Sequence, residues 1–105
     1  MNDKILKEDN LHIKRFFNLD SNVYKDGALS GQVKEMMGLV ASMVLRCDDC
    51  IRYHVQACRE QDVSREEFFE LFGVALVVGG SIVIPHMRRA VAFLDDLEGG
   101  ARSGG

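Results

Sequence analysis

The chain has little of what would commit it to several common roles. No apolar run reaches the roughly 18 residues that a membrane-crossing helix needs, so no spanning helix and no membrane partner are expected. No block of basic residues offsets the net charge of −3, which argues against nucleic acid as a partner. The opening stretch Met1-Asn2-Asp3-Lys4-Ile5-Leu6-Lys7-Glu8-Asp9 is charged and holds no signal-peptide core, so a cytoplasmic, reducing location is the default expectation. Proline occurs once, at Pro85, and strand-like alternation is not evident. Cysteine occurs three times, an odd count that argues against a disulfide framework.

What is present is ordinary globular composition: 105 residues, 47% hydrophobic and 28% charged. Length predicts a single helical domain over residues 1–98, followed by a flexible glycine-rich tail over 99–105. Helical periodicity predicts an all-α fold, a compact bundle of about five or six helices. Residues 1–9 read as a short helix or a loose arm. Helical structure is expected across 10–25, with a break near Asp20-Ser21-Asn22, and His12 there reads as a surface or partly buried histidine. The turn Lys25-Asp26-Gly27-Ala28-Leu29-Ser30-Gly31 precedes a helix from about Gln32 to Arg46, with Ser30 as its candidate cap. Val33, Met36, Met37, Val40, Met43, Val44 and Leu45 give that helix a wide apolar stripe. A further helix runs from the Cys47–Cys50 segment to about Gln61. Ser64 with Glu67 fits a capping box that opens the next helix, which Gly79-Gly80 closes. A last helix spans about Ser81–Leu97, with Pro85 in its first turn, where proline is tolerated. Residues 71–84 are apolar on nearly all sides, so part of that hairpin is expected to be buried against another copy of the chain.

The stretch with chemistry in it is Cys47-Asp48-Asp49-Cys50-Ile51-Arg52-Tyr53-His54. Residues three and four apart share a helix face, so Cys47, Cys50 and His54 project together if a helix starts near Cys47. Cys50 and His54 are then separated by about 6 Å of rise. A helix N-terminus, a neighbouring protonated imidazole and a second thiol all favour the thiolate, the reactive form. Asp48 and Asp49 act against it by charge, and either can also cap the helix. A close dithiol suits a reaction in which one sulfur attacks and the other resolves the product as a disulfide.

Three other residues carry alternatives. Glu35 reads from its local pattern as a solvated first-turn carboxylate, with orientation of His54 as the functional alternative. Cys58 reads as a small buried apolar residue. His86 reads as an interface histidine or as one lining the site from a neighbouring helix. A metal-binding module built on Cys47, Cys50, His54 and Cys58 is the competing reading of the cluster. On a regular helix Cys50 and Cys58 lie about 12 Å apart, too far for both sulfurs to share one ion. Glu35 as fourth ligand keeps that reading open. A further reading is a small oligomeric protein whose cysteines have fallen out of use.

Glu35, followed by eleven residues and then Cys47-x-x-Cys50-x-x-x-His54, resembles the signature of the alkyl hydroperoxidase D / carboxymuconolactone decarboxylase family. The turn and cap Val63-Ser64-Arg65-Glu66-Glu67 and the apolar helix ending in Gly79-Gly80 are similar too, and the resemblance spans about residues 19–97. It implies an all-α fold assembled as a homo-oligomer, a trimer or hexamer. It implies an oxidoreductase with peroxidase-like, antioxidant activity: a redox-active disulfide cycles between a small-molecule peroxide or disulfide substrate and an external dithiol reductant, with no cofactor. The resemblance gives Cys50 the attacking role, Cys47 the resolving role, and Glu35 and His54 a proton relay. Asp49 stands where that branch can carry a histidine. The chain is about half the size of the two-repeat members, so two subunits are expected to do the work of one. The decarboxylase branch of the same family is the remaining alternative, though lactone decarboxylation has no need of a dithiol. In one straight helix, Glu35 and Cys47 would lie about 18 Å apart, so Glu35 reaches His54 only if the next helix folds back alongside.

Overall fold

The computed structural model describes residues 2–99; the glycine-rich stretch 100–105 lies outside the described residues. Six α-helices and one short 3-10 turn make up the regular structure, with no strand among the described residues. The chain divides into two compact units at Gly31 and Gln32.

The first unit holds α1 (Asn2–Leu6) and α2 (Leu11–Val23). Asn10 caps α2 by accepting a hydrogen bond from the Ile13 amide at 3.1 Å, and Lys14 pairs with Asp9. α2 runs unbroken through Asp20-Ser21-Asn22, where a break was expected, and none of its residues is buried. His12 is exposed, as read from the sequence.

The second unit opens at Gln32, the second residue of α3 (Gly31–Leu45), and continues with α4 (Asp48–Glu60). These two run antiparallel. The Gln32 side chain donates to the Gln61 carbonyl at 2.8 Å, and the middle of α4 returns beside Glu35 and Gly38. At the head of α3 the Asp26 carboxylate accepts from the Gly31 amide at 2.5 Å. Next come α5 (Arg65–Gly79), the 3-10 turn Ser81–Val83 and α6 (Ile84–Leu97). Ser64 and Glu67 form the expected capping box, closed by reciprocal bonds of 3.1 and 2.8 Å. Gly80 adopts φ 83°, a left-handed conformation that turns the chain out of α5. A Cβ at Gly79 would meet Val83 Cγ2 at 2.5 Å, so glycine is also what lets the turn pack back on α5.

Leu39 and Met43 of α3 meet Ile51, Val55 and Cys58 of α4 and Phe68 and Phe72 of α5 in a core with almost no exposure. Each such side chain contributes about 1.5–3 kcal/mol by leaving water. Leu39 was absent from the apolar stripe read from sequence, yet it is fully buried, while Met37 and Leu45 of that stripe are exposed. Arg52 of α4 lies over the Phe93 ring of α6, 4.4 Å from its centroid. Arg65 at the start of α5 pairs with Asp95 at 2.8 Å and Glu98 at 2.9 Å near the end of α6. Of the apolar stretch 71–84, Phe72, Ala75 and Val83 are buried, whereas Val74, Val77, Val78 and Ile82 face outward, Val77 at 85% exposure.

Candidate active site

α3 ends in a tight left-handed turn. Arg46 sits at φ 61°; its amide bonds the Met43 carbonyl at 3.0 Å, and the Cys47 amide bonds the Ser42 carbonyl at 3.1 Å. These are the paired bonds of a Schellman motif, in which the left-handed position is usually glycine. The turn delivers Cys47 in an extended conformation, φ −101° and ψ 99°, as the N-cap of α4. Its Sγ accepts from the Cys50 amide at 3.4 Å, and the two sulfurs are 2.6 Å apart. No disulfide joins the two cysteines; Cys50 is exposed and Cys47 half-buried. The dithiol thus occupies a helix start, where unpaired amides and the helix dipole favour negative charge.

His54 lies one turn further along α4 and faces α3. It is 7% exposed, Glu35 is 5% exposed, and His54 Nδ1 lies 2.8 Å from Glu35 Oε1. A carboxylate at Nδ1 calls for the Nδ1–H tautomer and fixes the ring's orientation. The local reading of Glu35 as a solvated carboxylate is therefore corrected: the antiparallel return of α4 covers it and supplies its partner. Gly38 makes this approach available. A Cβ there would sit 2.7 Å from His54 Cε1 and 2.9 Å from Nε2. Tyr53 meets the His54 ring edge-on, with centroids 5.1 Å apart.

The acids between the cysteines differ from one another. Asp49 is exposed. Asp48 accepts from His86 Nδ1 at 2.7 Å and from Arg89 Nε at 3.1 Å, both on α6. The hydrogen bond from His86 above all holds its carboxyl below the usual carboxylate range; burial opposes it, and the charge of Arg89 adds a smaller pull in the same direction as His86. His86 therefore reaches the cysteine segment itself. Arg89 was not singled out from sequence, because nothing local links it to a residue 41 positions earlier.

Cys58 is fully buried, and its thiol is pushed up to about 12, first by burial and then by the nearby Glu35 charge. Among the described residues no group of three or more His, Cys, Asp or Glu side chains is placed to hold a metal ion. Cys58 therefore belongs to the core and not to a ligand set with Cys47, Cys50 and His54. The structure joins Cys47 to Cys50 and Glu35 to His54, and one turn of α4 connects the two pairs.

Residues 12–94 match the carboxymuconolactone decarboxylase family, and the chain belongs to that family. Two crystal structures of TM1620 from Thermotoga maritima superpose with TM-scores of 0.89 and 0.86 at 59% and 56% identity. The first covers 99% of this chain and 90% of that one; the second covers 98% and 92%. TM1620 is described as a member of the same family with a suggested involvement in antioxidative response. A family protein from Legionella pneumophila, in its apo form, superposes with a TM-score of 0.82 at 28% identity, covering 89% of this chain and 83% of its own. In sequence, an uncharacterized protein of the cox locus of Paracoccus denitrificans is 30% identical over 84 residues, 80% of this chain and 76% of that protein.

Proposed function

We propose that the protein is a thiol-dependent peroxidase or disulfide oxidoreductase that works through Cys47, Cys50, His54 and Glu35. The observation that carries this reading is the 2.6 Å separation of the Cys47 and Cys50 sulfurs at the start of α4. A dithiol has no part in lactone decarboxylation, so it favours the thiol branch of the family.

Cys50 is the more exposed sulfur and takes the attacking role. His54 accepts the Cys50 proton. The thiolate bonds to the terminal oxygen of a hydroperoxide, the O–O bond breaks, and His54 returns the proton to the leaving alkoxide. Cys50 is now a sulfenic acid. The Cys47 thiol attacks it, water leaves, and a Cys47–Cys50 disulfide forms. An external dithiol then returns both thiols by exchange. Glu35 holds Nδ1–H of His54, so that the other ring nitrogen carries the proton in both directions. The exposed apolar side chains Val74, Val77 and Val78 support assembly with further copies, as a trimer or hexamer.

The test is turnover of cumene hydroperoxide with dithiothreitol as reductant. Cys47→Ser and Cys50→Ser should abolish it, and His54→Ala should lower it by about 10²–10⁴-fold. Wild-type rates in both serine variants would overturn the assignment.

A further inference from the structure

The sequence places two acids between the attacking and resolving thiols, and acids there oppose thiolate formation. One of them is answered by α6. Asp48 Oδ1 lies 2.7 Å from His86 Nδ1, and Asp48 Oδ2 lies 3.1 Å from Arg89 Nε. Both carboxylate oxygens are thus engaged by one helix face, with His86 and Arg89 three residues apart on α6. Arg89 Nη2 also lies 3.3 Å from His86 Nδ1. Once Nδ1–H donates to Asp48, that approach is a close contact and not a second hydrogen bond. Asp48 is a single peptide unit from Cys47, so any charge left on it acts on both sulfurs at short range.

We propose that His86 and Arg89 act through Asp48 as positioning residues that cancel its negative charge beside the dithiol, and so set how readily Cys50 reacts. This regulation rests on the reading of Cys47 and Cys50 as the working pair. Neither α6 residue is asked to touch the substrate.

The sign of the response separates a charge effect from a structural one. Arg89→Gln leaves Asp48 less compensated and should slow the first alkylation of the reduced protein by iodoacetamide about threefold at low ionic strength. Asp48→Asn removes the negative charge, leaves the α6 cation in place, and should speed the same reaction by a similar factor. The Asp48→Asn/Arg89→Gln double variant should return close to the wild-type rate, and Arg89→Lys, which keeps the charge, should stay there. Molar salt should shrink all these differences. If the pair only braces the backbone, Asp48→Asn and Arg89→Gln slow the reaction alike and the double variant is no better; that result overturns the proposal, as does an unchanged rate in every variant. Alkylation uses no peroxide. A protein that fails to turn over hydroperoxide would sink the function proposed above and still give or withhold the opposite signs expected here.

Discussion

The two ends of α4 hold cysteines in opposite circumstances. At the amino end, Cys47 and Cys50 sit at the helix start, where the Cys50 amide donates to Cys47 Sγ; one of them is exposed to solvent, and their sulfurs are 2.6 Å apart. At the carboxyl end, Cys58 is sealed in the core and its thiol is pushed up to about 12. Cys50 and Cys58 are eight residues apart, about 12 Å along the same helix. The side-chain chemistry is identical; helix position and solvent access differ. A helix start offers amide donors to a sulfur, whereas the buried end offers apolar neighbours and the Glu35 charge. The same helix thus holds a close pair of cysteines at its start and a sealed thiol within four turns, and Glu35 serves both ends by holding His54 and opposing ionisation of Cys58.

The largest expected effect is on thiol modification. At neutral pH, Cys58 should be alkylated on the order of a thousandfold more slowly than an ordinary thiol, because so little of it is ionised. Peptide mapping after a short iodoacetamide pulse checks this; label on Cys58 at the rate of Cys50 would erase the contrast.

Gly38→Ala attacks the join between the two pairs. The added methyl meets the His54 ring at 2.7 Å, with the rigid α3 backbone behind it. The variant should lose about 1–3 kcal/mol of folding stability and should also lose turnover, since the ring must leave its place against Glu35. Denaturant unfolding and the hydroperoxide assay together check it.

The buried end should also make the protein sensitive to alkali. A thiol whose pKa is raised in the folded state stabilises the fold below its unfolded value and loses that contribution as pH rises toward the folded one. With an unperturbed value of 9.0 and a folded value of about 12, the loss at pH 10 is on the order of 1 kcal/mol. Cys58→Ala should remove this slope between pH 8 and pH 10, whatever its effect at neutrality, as read from thermal unfolding at each pH.

The smallest effect belongs to the turn that leads into the dithiol. Arg46 holds a left-handed conformation at φ 61°. Arg46→Gly should stabilise the fold by up to about 1 kcal/mol, the relieved strain exceeding the flexibility that glycine adds to the unfolded chain. A shift in the denaturant midpoint at constant slope checks it.

Much of the helical layout was legible because its signals are local. Ser64 and Glu67 cap α5 through bonds three residues apart, and Gly79-Gly80 ends it where the backbone requires glycine. The family signature picked out Glu35 and His54 together, although the local pattern around Glu35 pointed to solvent. Its burial arises from α4 folding back over α3, a tertiary event that no window around residue 35 contains. Leu39 shows the same limit, since an apolar stripe does not say which of its members the neighbouring helices cover. The Asp48 contacts lay further out of reach. His86 and Arg89 are 38 and 41 residues from Asp48, and only the packing of α4 on α6 joins them.

Peroxide treatment of the fully reduced protein, followed by mass spectrometry of its peptides, bears most directly on the two-ended account of α4. One equivalent of hydroperoxide should consume two thiols, yield a peptide linked between Cys47 and Cys50, and leave Cys58 free. Oxidation that consumes Cys58 first, or that leaves Cys47 and Cys50 reduced, would contradict it.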